Sequence, residues 1–256
     1  MIFIGIIRLC AFLMLVLMFI ITSSLGFFLT EDSVRKNYHI CVTQFYSRVL
    51  LWLLNVQVKK NFKDLPKPAL VVCNHLSYLD VPVIASTFPA VFITSVEVQG
   101  SFLEGGLSTL GGSIFIERRN RGRLLHDIDF TSRVIRSGFH VVLFPEGTTG
   151  DGSQVLPFKS GLFSTATKAD SPVVLLTIQY QSIGGKPVTA QNRDKIFYYG
   201  TIKFVPHMLR IFFNRKITVE LTFLKAIYRE DRKKRKLIND AYEAISSHYQ
   251  PIINNT

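Results

Sequence analysis

The chain has 256 residues, a length that fits one medium-sized domain and leaves room for a membrane-anchoring segment. Its 48% hydrophobic and 19% charged residues give a mean hydropathy of +0.26, which is apolar for a soluble enzyme. The formal net charge of +12 would suit nucleic acid or an anionic membrane surface. Zinc-finger spacing, heptads beside a basic region and an aromatic-basic RNA-binding pattern are all absent from the sequence. We therefore expect phospholipid headgroups, and no nucleic acid, as the partner of the basic charge.

The cysteines predict neither a zinc site nor a disulfide framework. Cys10, Cys41 and Cys73 are the three, and no pair has C-x-x-C spacing. A domain of this length buries enough apolar surface to fold without metals or disulfides. Three reduced packing thiols fit a compartment facing the cytosol.

The N-terminus carries a long apolar run. Leu9 to Leu29 contains no charged side chain over 21 residues, and a helix of about 20 residues spans a bilayer. A cleaved signal peptide is the rival interpretation, but its positive flank would be Arg8 alone, its apolar region would be too long, and no A-x-A site follows. The sequence therefore predicts a retained anchor, which either crosses the bilayer or lies deep in one leaflet.

A second apolar stretch, Tyr38 to Val58, has a broad apolar face and includes Trp52. This pattern is typical of an amphipathic helix at the membrane surface, where Trp favours the headgroup boundary, although an ordinary core helix has a similar face. We expect residues 1–58 to form a membrane-anchoring helical hairpin that turns at Thr30 to Asn37. Residues 59–256 then form the second domain.

Short β-branched runs alternate with helical stretches after the polar linker Lys59 to Pro68. The expected strands are Ala69–Cys73, Val91–Ser95, Ser113–Ile116, Val141–Phe144, Val173–Gln179 and Ile217–Phe223. The expected helices are Pro82–Ser86, Phe102–Leu110, Arg121–Arg136, Gly161–Lys168, Pro206–Phe213 and Arg232–His248. Strands and helices in alternation predict an α/β fold, with a mostly parallel central sheet flanked by helices.

A polar cluster, Asn74 to Asp80, follows the first strand of this sheet, where open α/β sheets bind ligands. His75 and Asp80 are five residues apart, about 140° around a regular helix, so they meet only if the chain turns from strand to helix between them. The carboxylate could then fix the imidazole tautomer and leave the other ring nitrogen free to accept a proton from an alcohol. A helix-capping aspartate with a structural histidine is the alternative.

Two further clusters follow strands. Phe144 to Gly152 reads F-P-E-G-T-T-G-D-G, in which glycines allow close backbone approach to a ligand and Glu and Thr offer hydrogen bonds. Gly112 to Arg119 ends in arginines, and four arginines fall within residues 118–123, a composition suited to phosphate. Taken separately, these stretches could equally be a Gly-rich loop and a solvated basic turn.

Together the clusters resemble the glycerolipid acyltransferase family, whose archetype is 1-acylglycerol-3-phosphate acyltransferase. The resemblance covers roughly residues 60–225. It lies in an N-H-x4-D block at Asn74–Asp80, a G-x-x-F-I-x-R block at Gly112–Arg118, an F-P-E-G-T block at Phe144–Thr148 and a proline-bearing apolar strand at Pro172–Leu176. Four blocks in one order and spacing are a specific pattern.

The resemblance implies a role for each motif. His75 would be the general base and Asp80 would orient it. Arg118 would bind the acceptor's phosphate, and the implied substrate-binding set is Asn74, Ser77, Arg118, Glu146, Gly147 and Thr148. The alcohol would attack the thioester of acyl-CoA or acyl carrier protein directly. No covalent enzyme intermediate, cofactor or metal is expected.

The acceptor expected from the resemblance is 1-acylglycerol-3-phosphate, which would give phosphatidic acid. Many phosphatidate-forming members carry Arg after E-G-T, where this chain has Thr149, and Leu176 stands near a proline often found in the fourth block. The stretch from Thr149 to Lys159 also resembles bacterial relatives that acylate lyso-ornithine lipid. Lyso-ornithine lipid or another lysophospholipid is therefore the alternative acceptor.

A non-enzymatic interpretation is a membrane lipid-binding protein with a relic site, and the intact His75, Asp80 and Glu146 argue against it. A serine esterase is disfavoured because the sequence has no G-x-S-x-G elbow. We expect the protein in the membrane, in a bacterial inner membrane with its catalytic domain on the cytoplasmic side.

Overall fold

The computed structural model describes residues 2–66, 68–117, 122–159, 161–228 and 234–252. Arg118, Arg119 and Arg121 of the predicted phosphate-binding turn lie outside the described residues. The α-helices are α1 Ile2–Leu25, α2 Asp32–Leu53, α3 Asp80–Thr87, α4 Val96–Gln99, α5 Phe102–Leu110, α6 Leu124–Arg136, α7 Ser164–Ala169, α8 Phe204–Phe212 and α9 Lys234–His248. Short 3-10 helices cover Gly26–Phe28, Gly161–Phe163 and Arg193–Lys195.

A mixed, mostly parallel sheet forms the centre of the domain that follows the helical hairpin, as the alternation predicted. Its strands are β1 Val56–Lys60, β2 Leu70–Cys73, β3 Ala90–Ser95, β4 Ile114–Ile116, β5 His140–Leu143, β6 Val173–Ile183, β7 Lys186–Pro187 and β8 Ile217–Ile227. The order is β1-β8-β6-β2-β5-β3-β4, with β7 paired to β6. Neighbours are parallel except where β6 meets β7 and β8.

The central strands are fully buried because helices cover both faces of a parallel sheet. Every residue of β2 is buried, and β6 is buried from Val173 to Ile178. Strands β2 and β5 are parallel neighbours, with Leu70 opposite Val141. Their carboxyl ends therefore lie side by side, and the loops that follow them share one edge of the sheet.

Strand β1 is the main element that the sequence did not predict. Its residues were assigned to the end of the second helix and the start of a linker. They pair in parallel with β8, with Val56 opposite Ile217 and Lys60 opposite Leu221. Lys59 and Lys60 are exposed on this edge strand, and two successive lysines are not a pattern from which a strand is predicted. The strand also runs across residue 58, where the predicted domain division falls.

The helical hairpin turns earlier than expected. Helix α2 begins at Asp32, and the turn occupies the 3-10 helix Gly26–Phe28 and the residues up to Glu31. The charged stretch that suggested a turn is the exposed first turn of α2, where Arg35 pairs with Asp32. Charged side chains three residues apart are compatible with a helix start, so polarity alone was misleading.

Helix α1 packs on the domain with one side and exposes apolar side chains on the other. Within the described residues, one helical segment, Gly5–Phe28, is long and apolar enough to cross a membrane. One side of it packs on the domain, where a guanidinium nitrogen of Arg8 donates to the carbonyl of Asn214 over 2.9 Å and the Phe12 and Phe212 rings lie 4.9 Å apart. The other side exposes large apolar side chains, and Trp52 of α2 is likewise 80% exposed. This surface fits association with a membrane.

Candidate active site

Two loops converge at the carboxyl edge of the sheet. The loop after β2 carries His75, and the loop after β5 carries Phe144 to Gly150. The rings of His75 and Phe144 stack with centroids 4.0 Å apart and planes 12° from parallel. The backbone N–H of Gly150 donates to the carbonyl of His75 over 2.8 Å. The second loop therefore packs against both the ring and the backbone of His75.

His75 and Asp80 meet, because the chain turns from β2 into α3 between them. Nδ1 of His75 lies 2.8 Å from Oδ2 of Asp80. The same oxygen accepts from the backbone N–H of Leu76 at 2.7 Å and of Ser77 at 2.9 Å. The other oxygen, Oδ1, accepts from the Tyr180 hydroxyl at 2.8 Å. Asp80 therefore orients the imidazole and also holds the turn between β2 and α3 through the amides of Leu76 and Ser77. The N-terminus of α3 has no side-chain cap hydrogen bond, so the helix-capping alternative is wrong.

This geometry fixes the tautomer of the imidazole when the ring is neutral. A carboxylate can only accept, so Nδ1 of His75 carries the proton and Nε2 has a free lone pair. The His75 side chain is 18% exposed, while Asp80 is fully buried. Burial and the charge of Asp80 raise the pKa of the Tyr180 phenol, so that side chain remains a donor. The arrangement is the base–orienter half of a catalytic triad, with no enzyme nucleophile needed if a substrate hydroxyl approaches Nε2.

The structure gives Glu146 a different task from the predicted one of positioning the acceptor. Its Oε1 accepts from the backbone N–H of His75 and its Oε2 from that of Leu156, both over 2.7 Å. Glu146 is only 3% exposed, and burial raises its pKa to about 7 although both amides favour the charged form. Its carboxylate thus holds the loop that carries His75.

Asn74 and Ser77 were also predicted to bind substrate, and the structure has both side chains buried against backbone. The Asn74 amide accepts from the N–H of Ile178 at 2.8 Å and donates to its carbonyl at 3.0 Å. This extends the pairing of β2 with β6 past the last strand residue. The Ser77 hydroxyl donates to the carbonyl of Ile196 over 2.7 Å. Their role here is to hold the loop.

Gly147 and Thr148 do face the cavity beside His75, together with Thr149. Gly147 has φ of 72°, in the left-handed region that favours glycine. Thr148 is exposed and uncharged. The predicted phosphate ligand Arg118 lies outside the described residues, so its role stays a prediction.

An apolar cavity of about 540 Å³ extends from His75 toward the membrane hairpin. Its lining includes side chains from α1, α2, β3 and α8, among them Phe12, Leu15, Phe19, Leu50, Phe92 and Phe212. Tyr78 lines the same cavity, and its hydroxyl lies 2.9 Å from Nδ1 of the buried His207. Burial raises the pKa of the Tyr78 phenol. A mostly apolar cavity with His75 in its lining is suited to a long hydrocarbon chain with a reactive head.

Sequence reasoning missed three side chains around the base. Tyr180 of β6 donates to Asp80, and the ring of Phe144 stacks on His75. His207 contacts the hydroxyl of Tyr78. Phe144 and Tyr78 lie inside recognised motifs and could have been suspected. Tyr180 stands in an apolar run a hundred residues after Asp80, and only the neighbouring positions of β2 and β6 bring them together.

Known proteins resemble this chain in sequence and in fold. A family model described as Acyltransferase matches residues 54–179. Lyso-ornithine lipid O-acyltransferase of Rhizobium meliloti (strain 1021) is 32% identical over 202 residues, covering 76% of this chain and 69% of the relative. 1-Acyl-sn-glycerol-3-phosphate acyltransferase of Neisseria gonorrhoeae is 26% identical over 194 residues, covering 74% and 72%.

A solved structure has the same fold. The crystal structure of the 1-acyl-sn-glycerophosphate (LPA) acyltransferase PlsC from Thermotoga maritima matches with a TM-score of 0.62, covering 96% of this chain and 95% of that one. Sequence identity is 15%, so the likeness concerns the fold.

Proposed function

Because the chain belongs to the acyltransferase family and is an O-acyltransferase, we propose that it moves a fatty acyl group from a thioester donor to the free hydroxyl of a lysolipid. The observation that carries this proposal is the 2.8 Å contact between Nδ1 of His75 and the buried Asp80, at the end of an apolar cavity. A base next to a hydrocarbon-sized cavity suits an acceptor or donor with a long acyl chain.

His75 acts as the general base in this proposal. Nε2 takes the proton of the acceptor hydroxyl as its oxygen attacks the thioester carbonyl. Asp80 stabilises the imidazolium that forms. The tetrahedral intermediate then collapses, the carbon–sulfur bond breaks, and the imidazolium returns the proton to the leaving thiolate. The products are an ester and a free thiol.

The donor is acyl-CoA or acyl carrier protein, and the apolar cavity receives an acyl chain. Its lining by α1 and α2 supports this, because a lipid chain could then pass between the cavity and the membrane without crossing water. Phe12 lies on this route. Both donors share the thioester that the proposed chemistry uses.

The acceptor expected from the resemblance is 1-acylglycerol-3-phosphate, the substrate class in the name of the Neisseria relative. Arg118 would then contact its phosphate. Lyso-ornithine lipid is a second candidate, favoured by the 32% identity of the Rhizobium relative and by the neutral Thr149 after E-G-T. Both acceptors offer a free hydroxyl, so the chemistry at His75 is common to them.

We also propose that the protein lies in a bacterial inner membrane with its catalytic domain on the cytoplasmic side. The free thiols of Cys10, Cys41 and Cys73 are compatible with a reducing compartment. The net charge of +12 favours an anionic membrane surface. Helix α1 contacts the domain at Arg8 and packs against α5 and α8, which favours a hairpin lying within one leaflet.

The test is an acyl-transfer assay on the full-length, detergent-solubilised protein with labelled palmitoyl-CoA or palmitoyl-carrier protein. The acceptors are 1-acylglycerol-3-phosphate, lyso-ornithine lipid and other lysophospholipids, and His75→Ala protein is the control. Labelled phosphatidic acid or acylated ornithine lipid that the control does not form would identify the acceptor. If the wild-type protein acylates none of them with either donor, the proposed function is wrong.

A further inference from the structure

The Gly147 side of the site has a cation that neither the motifs nor the mechanism uses. Lys159 lies in the segment after Gly152, outside the predicted binding set. Its side chain lies against Gly147: a Cβ atom built on that glycine would be 2.7 Å from Nζ, 3.0 Å from Cδ and 3.1 Å from Cε. The stem of Lys159 therefore runs across the glycine, and the ammonium group reaches the loop that flanks His75.

The backbone holds Lys159 at this position. Its N–H donates to the carbonyl of Pro145 over 2.8 Å, and Leu156, three residues earlier, donates to the buried Glu146. Between them, the Phe158 ring packs edge-on against Tyr242 with centroids 5.2 Å apart. The segment is thus bonded at two points to the loop after β5. The backbone position of Lys159 beside this loop is preset by the fold.

Among the described residues, the ammonium group of Lys159 has no anionic partner. Lys159 is exposed, and its side chain makes no hydrogen bond or ion pair with the part of the chain that the structure describes. By contrast, Lys168 pairs with Asp129. The residue after E-G-T, Thr149, is neutral. A cation that lies against the cavity-lining Gly147 is available for a ligand's negative charge.

The lining of the cavity indicates which part of a ligand this charge would meet. Gly147, Thr148 and Thr149 line the same cavity as His75. A lysolipid whose hydroxyl lies at His75 has its acyl chain in the apolar part, so its headgroup lies toward the loop. The headgroup anion would then fall next to Gly147, where Lys159 lies.

From this geometry we infer that Lys159 binds the anionic group of the acceptor's headgroup, a phosphate or a carboxylate, and so determines the preference for charged lysolipids. The inference rests on the proposed function and adds a specificity-determining residue to it. A lysine is a compact point charge, which does not require the planar, bidentate geometry of an arginine site. It can therefore serve either acceptor class.

The test uses the full-length protein in mixed micelles and compares Lys159→Met, Lys159→Arg and wild type. Methionine retains the apolar stem over Gly147 and removes only the charge. Lys186→Met is the matched control, because Lys186 is exposed in β7, where it pairs with Ile183 of β6 and not with the loop that carries Gly147. The acceptors are 1-acylglycerol-3-phosphate, lyso-ornithine lipid and uncharged monoacylglycerol.

We expect Lys159→Met to raise KM for the anionic acceptor that the wild type uses about tenfold, the effect of losing one charge-assisted hydrogen bond. The KM for the acyl donor and the rate with monoacylglycerol should change less than about twofold, so the preference for the anionic acceptor falls. Lys159→Arg should restore most of that preference, and Lys186→Met should match wild type.

Equal losses with charged and uncharged acceptors would mean that Lys159 only packs on Gly147, and an unchanged KM would mean that it does not contact the headgroup. Either result overturns the inference and leaves the proposed function intact, because the wild type still transfers acyl groups. Absence of any transfer by the wild type overturns both.

Discussion

The two loops at the carboxyl edge of the sheet hold the same histidine in different ways. The loop after β2 supplies the imidazole of His75 and the carboxylate that binds its Nδ1. The loop after β5 supplies Glu146, which binds the backbone N–H of His75, and Phe144, which stacks on the ring. Asp80 binds the imidazole ring of His75, and Glu146 binds the main chain of the same residue.

The two acids also differ in their surroundings. Asp80 accepts four hydrogen bonds, from His75, Leu76, Ser77 and Tyr180. Glu146 accepts two, and burial raises its pKa to about 7. Acidic residues in neighbouring motifs can therefore have separate tasks, one in the chemistry and one in the support of the loop. Substitutions that separate these tasks give the predictions that follow.

The largest effect is expected from Asp80→Asn. An asparagine can present its amide N–H₂ to Nδ1, which would move the imidazole proton to Nε2 and block the base. We expect kcat to fall by about 10²- to 10⁴-fold, measured by acyl transfer at saturating acceptor. Asp64→Asn, at an exposed position, is the matched control and should retain full activity. A loss of less than about fivefold in Asp80→Asn would contradict the orienting role.

The next effect concerns stability and pH. The pKa of Glu146 is about 7 in the folded chain against an ordinary value of 4.5. Between these values the folded chain holds a proton that the unfolded chain has released, so stability falls as pH rises from about 4.5 to about 7. Glu146→Gln cannot titrate, so its free energy of unfolding should rise relative to that of the wild type by up to about 3 kcal/mol across this pH window. Thermal midpoints at several pH values would test it, and a constant difference would refute the assignment.

A smaller effect is expected from Glu146→Ala. It leaves the backbone amides of His75 and Leu156 without acceptors, which should cost about 1–3 kcal/mol of unfolding free energy in a denaturant titration. Because the His75 backbone is then less restrained, kcat should fall about tenfold. If stability and kcat stay unchanged and only KM for the acceptor rises, Glu146 positions the acceptor as the sequence first suggested.

The smallest effect is expected from Tyr180→Phe, which removes one of the four hydrogen bonds to Asp80. A hydrogen bond to a charged group contributes about 1.5 kcal/mol, and because Tyr180 acts on the base only through Asp80, we expect part of this energy in kcat, a loss of about three- to tenfold. Tyr199→Phe is the matched control, because the Tyr199 hydroxyl also donates to an aspartate, Asp194, over 2.6 Å. Equal losses in both variants would show that Tyr180 has no specific link to the base.

Much of the fold could be predicted from periodicity alone. Helix α5 has the expected bounds, Phe102–Leu110, and every expected strand occurs within a few residues of its predicted position. Strand β1 was not predicted because Lys59 and Lys60 lie exposed on this edge strand. Strands β6 and β8 run to 11 residues each because they pair with each other beyond the end of β2, a contact that no local pattern reveals.

The site was predicted in part. The spacing of His75 and Asp80 indicated a pair, and the strand-to-helix turn brings them together. Polar residues at a strand end look the same in sequence whether they contact a ligand or the backbone, so Asn74, Ser77 and Glu146 were assigned to the substrate. Tyr180 required the order of strands in the sheet, which the sequence does not contain.

The central claim is that His75 activates a lysolipid hydroxyl. The most direct measurement compares kcat/KM of His75→Ala with wild type, on the acceptor that the wild type uses, with thermal midpoints measured on the same samples. We predict a loss of about 10²- to 10⁴-fold with little change in thermal midpoint, because within the described residues the His75 side chain makes no hydrogen bond other than that with Asp80. Transfer at close to the wild-type rate by a folded His75→Ala protein would contradict it.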